Sequence, residues 1–122
     1  MKRDMDLVRR ILLELEKMPE AEFSTTTFYM DGVDDELTNY HIQLLVDAGL
    51  IHHEKEESPA LPARVYISRY RLSWQGHEFL DLMKQDTNWK HAKEVMAKTG
   101  GMAFEILIKI LLQYAAGQVG LV

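Results

Sequence analysis

The sequence predicts an α+β, mainly helical fold, and three observations support this. Residues 36–49 form an amphipathic pattern that stops at a glycine, a strand pattern follows at once, and a second strand pattern returns after a loop with two prolines. A helix that leads directly into a β hairpin is typical of a winged helix. We therefore expect a winged-helix-like domain with a two-to-three-stranded sheet over residues 1–85, followed by a C-terminal helical extension over residues 86–122.

Length and composition limit the possible classes of protein. The 122 residues, 47% of them hydrophobic, suffice for one domain with a small extension. The net charge of -5 argues against a general nucleic-acid coat protein, which would be basic. The absence of cysteine excludes disulfides and thiolate metal ligands. The opening M-K-R-D-M-D is charged and no unbroken apolar run follows it, so we expect no signal peptide and a cytoplasmic location.

The first helix is predicted over residues 4–18, and Pro19 ends it. Its apolar positions recur at helical spacing and indicate the face toward the core: Met5, Val8, Ile11, Leu12 and Leu15. A basic cluster near its start is typical of a solvated face, although in some winged helices this end lies near DNA: Lys2, Arg3, Arg9 and Arg10.

The segment before the central helix is short. Residues 22–30 are rich in threonine and aromatic side chains, which predicts a strand, and Asp31 and Gly32 signal a turn. Only residues 33–36 remain before the helix, so we expect an abbreviated helix-turn-helix. This weakens the inference of DNA binding, because the missing helix normally braces the reading helix.

The central helix covers residues 36–49, with Asp34 or Asp35 as a carboxylate cap and Gly49 in the left-handed conformation at its end. His41 lies on the apolar side, which is typical of a hydrogen-bonded core histidine. The predicted apolar face consists of Leu37, His41, Leu44, Leu45 and Ala48, flanked by Ile42 and Val46.

The outward face of this helix is where a DNA-reading helix would place its base contacts. Asn39 and Gln43 are residue types that pair with adenine, and Tyr40 could touch a phosphate or a thymine methyl. Carboxylates share this face or precede it, and phosphates repel them: Asp34, Asp35, Glu36 and Asp47. A solvated polar face is the alternative, and these charges favour it over base readout.

Residues 50–57 and 65–73 predict a β hairpin whose second strand alternates, so that Arg69 and Arg71 share one face. With Arg64 at the tip, these arginines are candidates to contact phosphate or the minor groove. The alternative is that they pair across the hairpin with three glutamates: Glu54, Glu56 and Glu57.

Two helices follow the hairpin. Ser73 is the predicted N-cap of a helix over residues 73–86, in which Trp74 anchors to the hairpin and Gly76 admits another backbone. A shorter helix then carries four apolar positions and ends at Gly100–Gly101: Trp89, Ala92, Val95 and Met96.

Residues 102–116 form the most apolar segment, and its polar residues lie on one ridge: Glu105, Lys109 and Gln113. The segment is too short and too charged for a membrane span. A helix this apolar must be covered on several sides. We predict that it packs across a homodimer interface.

The histidines do not indicate a metal or catalytic site. His52 and His53 are adjacent in a strand and point to opposite faces, and His77 with Asp81 lacks a third ligand. The sequence contains neither a phosphate-binding glycine loop nor a nucleophile elbow. We therefore expect a protein that is not an enzyme and uses no cofactor.

Four segments together resemble a family of uncharacterised bacterial and phage proteins, domain of unknown function 2513. They are M-K-R-D-M-D-L-V-R-R-I-L-L-E, Y-H-I-Q-L-L-V-D-A-G-L-I, L-S-W-Q-G-H-E-F-L-D and D-T-N-W, in that order along nearly the whole chain. The resemblance implies a winged-helix-like fold and frequent carriage on prophages. It implies no activity.

These observations lead to two functional hypotheses. The first is a bacterial or phage regulator that binds double-stranded DNA, with Arg64, Arg69 and Arg71 on phosphate and a base-facing set made of Asn39, Tyr40 and Gln43. The alternative is a winged-helix module that binds a host protein, which the acidic central helix favours. Affinity for duplex DNA that falls steeply with salt distinguishes the first from the second.

Overall fold

The computed structural model describes residues 1–18, 22–23, 29–57 and 66–99, together with residues 107 and 109. In this part the chain is α+β and mostly helical. The helices are α1 (Met5–Lys17), α2 (Asp35–Asp47), α3 (Trp74–Met83) and α4 (Asp86–Thr99), and the strands are β1 (Glu22–Phe23), β2 (Ile51–Glu57) and β3 (Tyr66–Leu72). The strands form an antiparallel sheet in the order β1-β3-β2. The chain divides into two compact units, Met1–His77 and Glu78–Val122.

Helix α1 starts at a side-chain cap. The Asp4 carboxylate accepts hydrogen bonds from the backbone N–H groups of Asp6 (3.0 Å) and Leu7 (3.2 Å), which lack partners within the helix. The predicted helix is confirmed, although Met5 is only half-buried and Leu7 belongs to the core. Pro19, the predicted stop, lies outside the described residues. The buried face consists of Leu7, Val8, Ile11, Leu12 and Leu15.

The end of helix α2 is closed as predicted. Gly49 has φ +77, the left-handed conformation that glycine adopts without strain. Its N–H donates to the Val46 carbonyl (3.0 Å), and the Leu50 N–H donates to the Leu45 carbonyl (3.0 Å), which is the Schellman pattern. The chain therefore reverses within two residues and enters β2 at Ile51.

The start of α2 differs from the prediction. Asp34 occupies the cap position, but its exposed carboxylate makes no capping hydrogen bond, and Asp35 is already helical. Instead the Asp34 carbonyl accepts from both the N–H (2.9 Å) and the hydroxyl (3.1 Å) of Thr38.

The buried face of α2 is rotated relative to the predicted stripe. Thr38, His41, Ile42 and Leu45 are buried, whereas Ala48 is exposed. The reason is that Thr38 satisfies its hydroxyl within the helix and can therefore enter the core. The predicted stripe leaves out Thr38 because threonine is counted as polar, and the predicted centre of the buried face of α2 is therefore displaced.

The β2–β3 hairpin is confirmed, with Ile51 opposite Leu72 and Glu57 opposite Tyr66. Ser68, Tyr70 and Leu72 are buried, so the predicted alternation along β3 is correct. The strand predicted over residues 22–30 is too long, because Tyr29 and Met30 are not in a strand and Met30 turns into the core instead. Residues 24–28 lie outside the described part.

Helix α3 is joined to the end of α2 through Ser73. The Ser73 hydroxyl accepts from the Gly76 N–H (2.9 Å) and donates to the Gly49 carbonyl, and the Ser73 N–H donates to the Leu50 carbonyl (2.9 Å). A Cβ on Gly76 would overlap that Leu50 carbonyl oxygen. Both predictions, the Ser73 cap and the close backbone approach at Gly76, are confirmed.

Trp74, which is predicted to anchor α3 to the hairpin, is 77% exposed and therefore buries little of its surface. As the first helical residue after the cap, it projects away from the face that carries Gly76, Phe79 and Leu80, all of which are buried.

In the second unit, α4 begins close to the end of α3. The Asn88 amide donates to the Leu82 carbonyl (3.1 Å), which supports the short connection, and Trp89 and Ala92 are buried. Leu107 is helical and buried, and Lys109 is helical and exposed. The rest of residues 102–116, and with them the predicted dimer interface, lies outside the described residues. Within the described part of the chain, no helix is long and apolar enough to cross a membrane.

Candidate functional site

The outward face of α2 lines an open groove of about 590 Å³. Glu36, Asn39, Tyr40 and Gln43 follow the i, i+3, i+4, i+7 spacing that places side chains on one side of a helix. Asp35 extends the groove at the helix start, and the lining also includes the N-terminal Met1. The three residues predicted to face a DNA groove are therefore brought together, but beside two carboxylates.

Hydrogen bonding makes this groove rich in acceptors. The Asn39 amide nitrogen donates to the Asp35 carbonyl (3.0 Å), which leaves the Asn39 side-chain oxygen available to a ligand. The carboxylates of Asp35 and Glu36 are exposed and accept only. The residues that line the groove include no lysine or arginine. The groove is therefore net negative and offers more acceptors than donors.

Tyr40 gives the groove an aromatic wall. It is 38% exposed, and its ring meets the His41 ring edge to face, with centroids 5.7 Å apart and an interplanar angle of 83°. His41 is fully buried, so Tyr40 stands against a fixed neighbour. A flat, partly exposed ring held in this way can stack on a planar ligand group.

His41 is fixed by two hydrogen bonds and, as predicted, is a core histidine. Its Nε2 accepts from the Asp4 backbone N–H (2.8 Å), so that atom carries a lone pair. Its Nδ1 therefore carries the proton and donates to the Leu37 carbonyl (2.9 Å). The bond to Asp4 holds the residues before α1 beside α2, which accounts for Met1 in the groove.

The hairpin arginines lie on a separate surface. Arg69 is opposite Glu54 and Arg71 is opposite His52, so both arginines share the face that points away from buried Tyr70. Arg71 is exposed and Arg69 is half-buried. Neither lines the α2 groove. Arg64, the third candidate, lies outside the described residues.

One member of the basic cluster near the first helix contacts the backbone of another segment. The Arg10 guanidinium donates to the Asp31 carbonyl (3.1 Å), which connects α1 to the turn before α2. Lys2, Arg3 and Arg10 are exposed.

The inner face of the hairpin carries a buried polar group. His53 stacks on Tyr70, with centroids 4.5 Å apart and an interplanar angle of 10°. Burial raises the pKa of the Tyr70 hydroxyl above 10.0, and the neighbouring Ser68 hydroxyl partly opposes that rise. His53 Nε2 is buried without a hydrogen-bond partner in the described part of the chain.

No group of three histidine, aspartate or glutamate side chains that could hold a metal occurs among the described residues. His52 and His53 lie on opposite faces of β2, as predicted: His52 is exposed, whereas His53 is half-buried against Tyr70.

The fold and groove define an α+β, mostly helical domain with one exposed, acceptor-rich helix face. The chain belongs to the family described as "Hypothetical protein (DUF2513)", whose sequence profile matches residues 2–103. It is also similar to an "Uncharacterized protein" of Haemophilus influenzae, with 44% identity over 93 residues that cover 76% of each chain. No solved structure matches significantly. The family resemblance inferred from the sequence is therefore confirmed.

Proposed function

We propose that this protein is a winged-helix-like interaction module that docks a protein partner on the outward face of α2. The observation that carries this proposal is the groove itself, in which two exposed carboxylates and an amide oxygen surround a partly exposed aromatic ring. Protein partners supply the donors and positive charges that such a surface lacks. Duplex DNA presents phosphates, which the same surface repels.

The order of elements supports a winged-helix-like assignment. Helix α2 ends at Gly49 and leads into the β2–β3 hairpin, and β1 pairs with the free edge of β3. In a winged helix this arrangement makes α2 the exposed helix and the hairpin the wing. An abbreviated helix-turn-helix lacks a full helix before the central one. Residues 29–34 contain no helix, which supports this prediction.

The charges on α2 argue against base readout. The positive end of a helix attracts phosphate, but here Asp35 and Glu36 occupy the first turn, and Asp34 precedes them. Negative charge at this position stabilises the helix and cancels the attraction. The last turn of α2 carries no basic residue that could compensate.

A second candidate function, binding of duplex DNA by a regulator, rests on the hairpin. Arg69 and Arg71 share its outer face, and arginine is the residue type that most often contacts phosphate and the minor groove. Pairing with a glutamate would compete with phosphate for Arg69. In the strand register Arg69 lies opposite Glu54, and both side chains leave the sheet on the same face.

Fluorescence anisotropy with a labelled random-sequence duplex tests these two functions. At about 50 mM salt, where electrostatic binding is strong, we expect no binding by the wild-type protein at micromolar concentration. Binding that falls steeply with salt, that is lost in the double variant Arg69→Ala and Arg71→Ala, and that persists in the control Lys98→Ala would establish the DNA function instead.

We also propose a homodimer formed through residues 102–116 in the cytoplasm. Lys109 is helical and exposed, which supports the predicted polar ridge, while Leu107 is already buried within the single chain. The interface would therefore use other apolar positions of this segment. Sedimentation equilibrium that shows a strict monomer at high concentration would contradict the dimer.

A further inference from the structure

We propose that the α2 groove binds an arginine side chain presented by the partner protein. This inference rests on the proposed docking function and specifies the chemistry of the docked segment. Three features of the groove support it: its net charge, the direction of its hydrogen-bonding groups, and its aromatic wall.

The hydrogen-bonding groups match a ligand that only donates. Guanidinium carries five N–H donors and no acceptor, and three groups that line the groove carry acceptor oxygens: the carboxylates of Asp35 and Glu36 and the Asn39 side chain. One N–H of the Asn39 amide donates to the Asp35 carbonyl, which leaves the side-chain oxygen of Asn39 for a donating ligand. Gln43, which can turn either end of its amide outward, adapts to the same ligand.

The walls match a planar, weakly hydrated cation. Tyr40 offers a ring on which guanidinium can stack, a contact that combines cation–π attraction with dispersion. Met1 also lines the groove, and an unbranched thioether is a side chain that adapts to the stem of a long ligand group. The groove has a volume of about 590 Å³ and is largely open to solvent, so a side chain on the surface of a docked protein can enter it.

Lysine meets fewer of these features than arginine. Its ammonium is a compact, strongly hydrated charge with three donors, so it cannot stack and bridge two carboxylates in the same pose. We therefore expect arginine to bind more tightly than lysine by about fivefold. Citrulline, which has the shape of arginine without its charge, should not bind measurably.

Nuclear magnetic resonance titration of ¹⁵N-labelled full-length protein tests this proposal. The probes are short glycine–serine peptides with a single central arginine, lysine, citrulline or glutamate. We expect the arginine peptide to bind in the millimolar range, with amide shifts concentrated at residues 35–43. No shifts with the arginine peptide, equal shifts with the citrulline peptide, or shifts confined to the hairpin would overturn the proposal.

Isosteric variants identify which carboxylates bind the arginine peptide. Glu36→Gln and Asp35→Asn remove a charge from the groove and should each weaken arginine-peptide binding about threefold to tenfold. The matched control Asp47→Asn removes another exposed carboxylate from the same helix outside the groove and should leave affinity unchanged. An equal loss of affinity in all three variants would show that binding depends only on the net charge of the protein, and would overturn the arginine site.

The arginine site can fail while the docking function stands. If no peptide binds, but a photo-crosslinker at position 43 still captures a protein partner in host cells, the α2 face docks a partner of different chemistry. If position 43 captures no protein either, the docking function fails as well. The peptide titration and the crosslinking experiment therefore separate the two claims.

Discussion

The backbone N–H of Asp4 donates a 2.8 Å hydrogen bond to Nε2 of His41, across 37 positions of the chain. Asp4 at the same time caps α1 with its carboxylate. One residue therefore begins one helix and contacts the buried face of another. This relationship holds Asp4 beside α2, and Met1, three residues earlier, lines the α2 groove.

Replacing His41 should destabilise the fold measurably. His41→Phe keeps an aromatic ring but removes the acceptor of the Asp4 N–H, and an unsatisfied buried donor costs about 1–3 kcal/mol. The Leu37 carbonyl loses its bond to the ring but keeps its bond within the helix. We expect a loss of about 1–3 kcal/mol in the free energy of unfolding, measured by urea denaturation. His52→Gln, at an exposed histidine, should change stability by less than about 0.5 kcal/mol. An equal effect of the two changes would contradict the role of His41.

Gly76→Ala should also destabilise, although alanine is the better helix former by about 1 kcal/mol. The added Cβ meets the Leu50 carbonyl oxygen, so the backbone of α3 must move away from the end of α2. Such overpacking typically costs about 1–3 kcal/mol. Gln75→Ala, at the exposed neighbouring position, is the control and should be neutral in thermal denaturation. A stabilised Gly76→Ala variant would show that the two segments are not in contact.

Gly49 should tolerate asparagine better than alanine. No atom lies within 4 Å of a Cβ built at this position, so the cost of substitution comes from the left-handed backbone alone. We expect Gly49→Ala to lose about 1–2 kcal/mol and Gly49→Asn to lose less, because asparagine adopts this conformation more readily. Chemical denaturation of the pair checks the order. The reverse order would contradict the Schellman ending of α2.

Stability should fall at alkaline pH because of Tyr70. Burial raises the pKa of its hydroxyl in the folded protein above the value of 10.0 in the unfolded chain, so the folded state holds the proton more tightly. The contribution is fully present below pH 10 and is lost as pH rises through the folded pKa. Tyr70→Phe should show a shallower loss of stability above pH 10 than the wild type, measured by urea denaturation across that range. Parallel curves for the two proteins would contradict a buried, titrating Tyr70.

Local backbone chemistry explains which parts of this fold were predictable. Gly49, Ser73 and Gly76 were assigned correctly because a turn, a cap and a close approach each depend on a residue type at one position. The hairpin was predicted for a similar reason, since its alternation is visible in the sequence of β3.

The features that the sequence does not predict depend on tertiary contacts. Thr38 is buried because its hydroxyl donates a hydrogen bond within the helix, and the exposure of Trp74 depends on which face of α3 is covered. The groove itself was predicted only in part. Helical spacing grouped Asn39, Tyr40 and Gln43, but Met1 joins them through the Asp4–His41 bond, which no local pattern indicates.

The docking role of the α2 face is tested most directly by site-specific photo-crosslinking in cells of the native host. A crosslinker at position 43 lies in the groove, and one at position 47 lies on the same helix outside it. We predict a protein adduct of discrete mass from position 43, much less from position 47, and loss of the adduct in Glu36→Lys. Nucleic-acid adducts, or equal protein adducts from both positions, would contradict the proposed function.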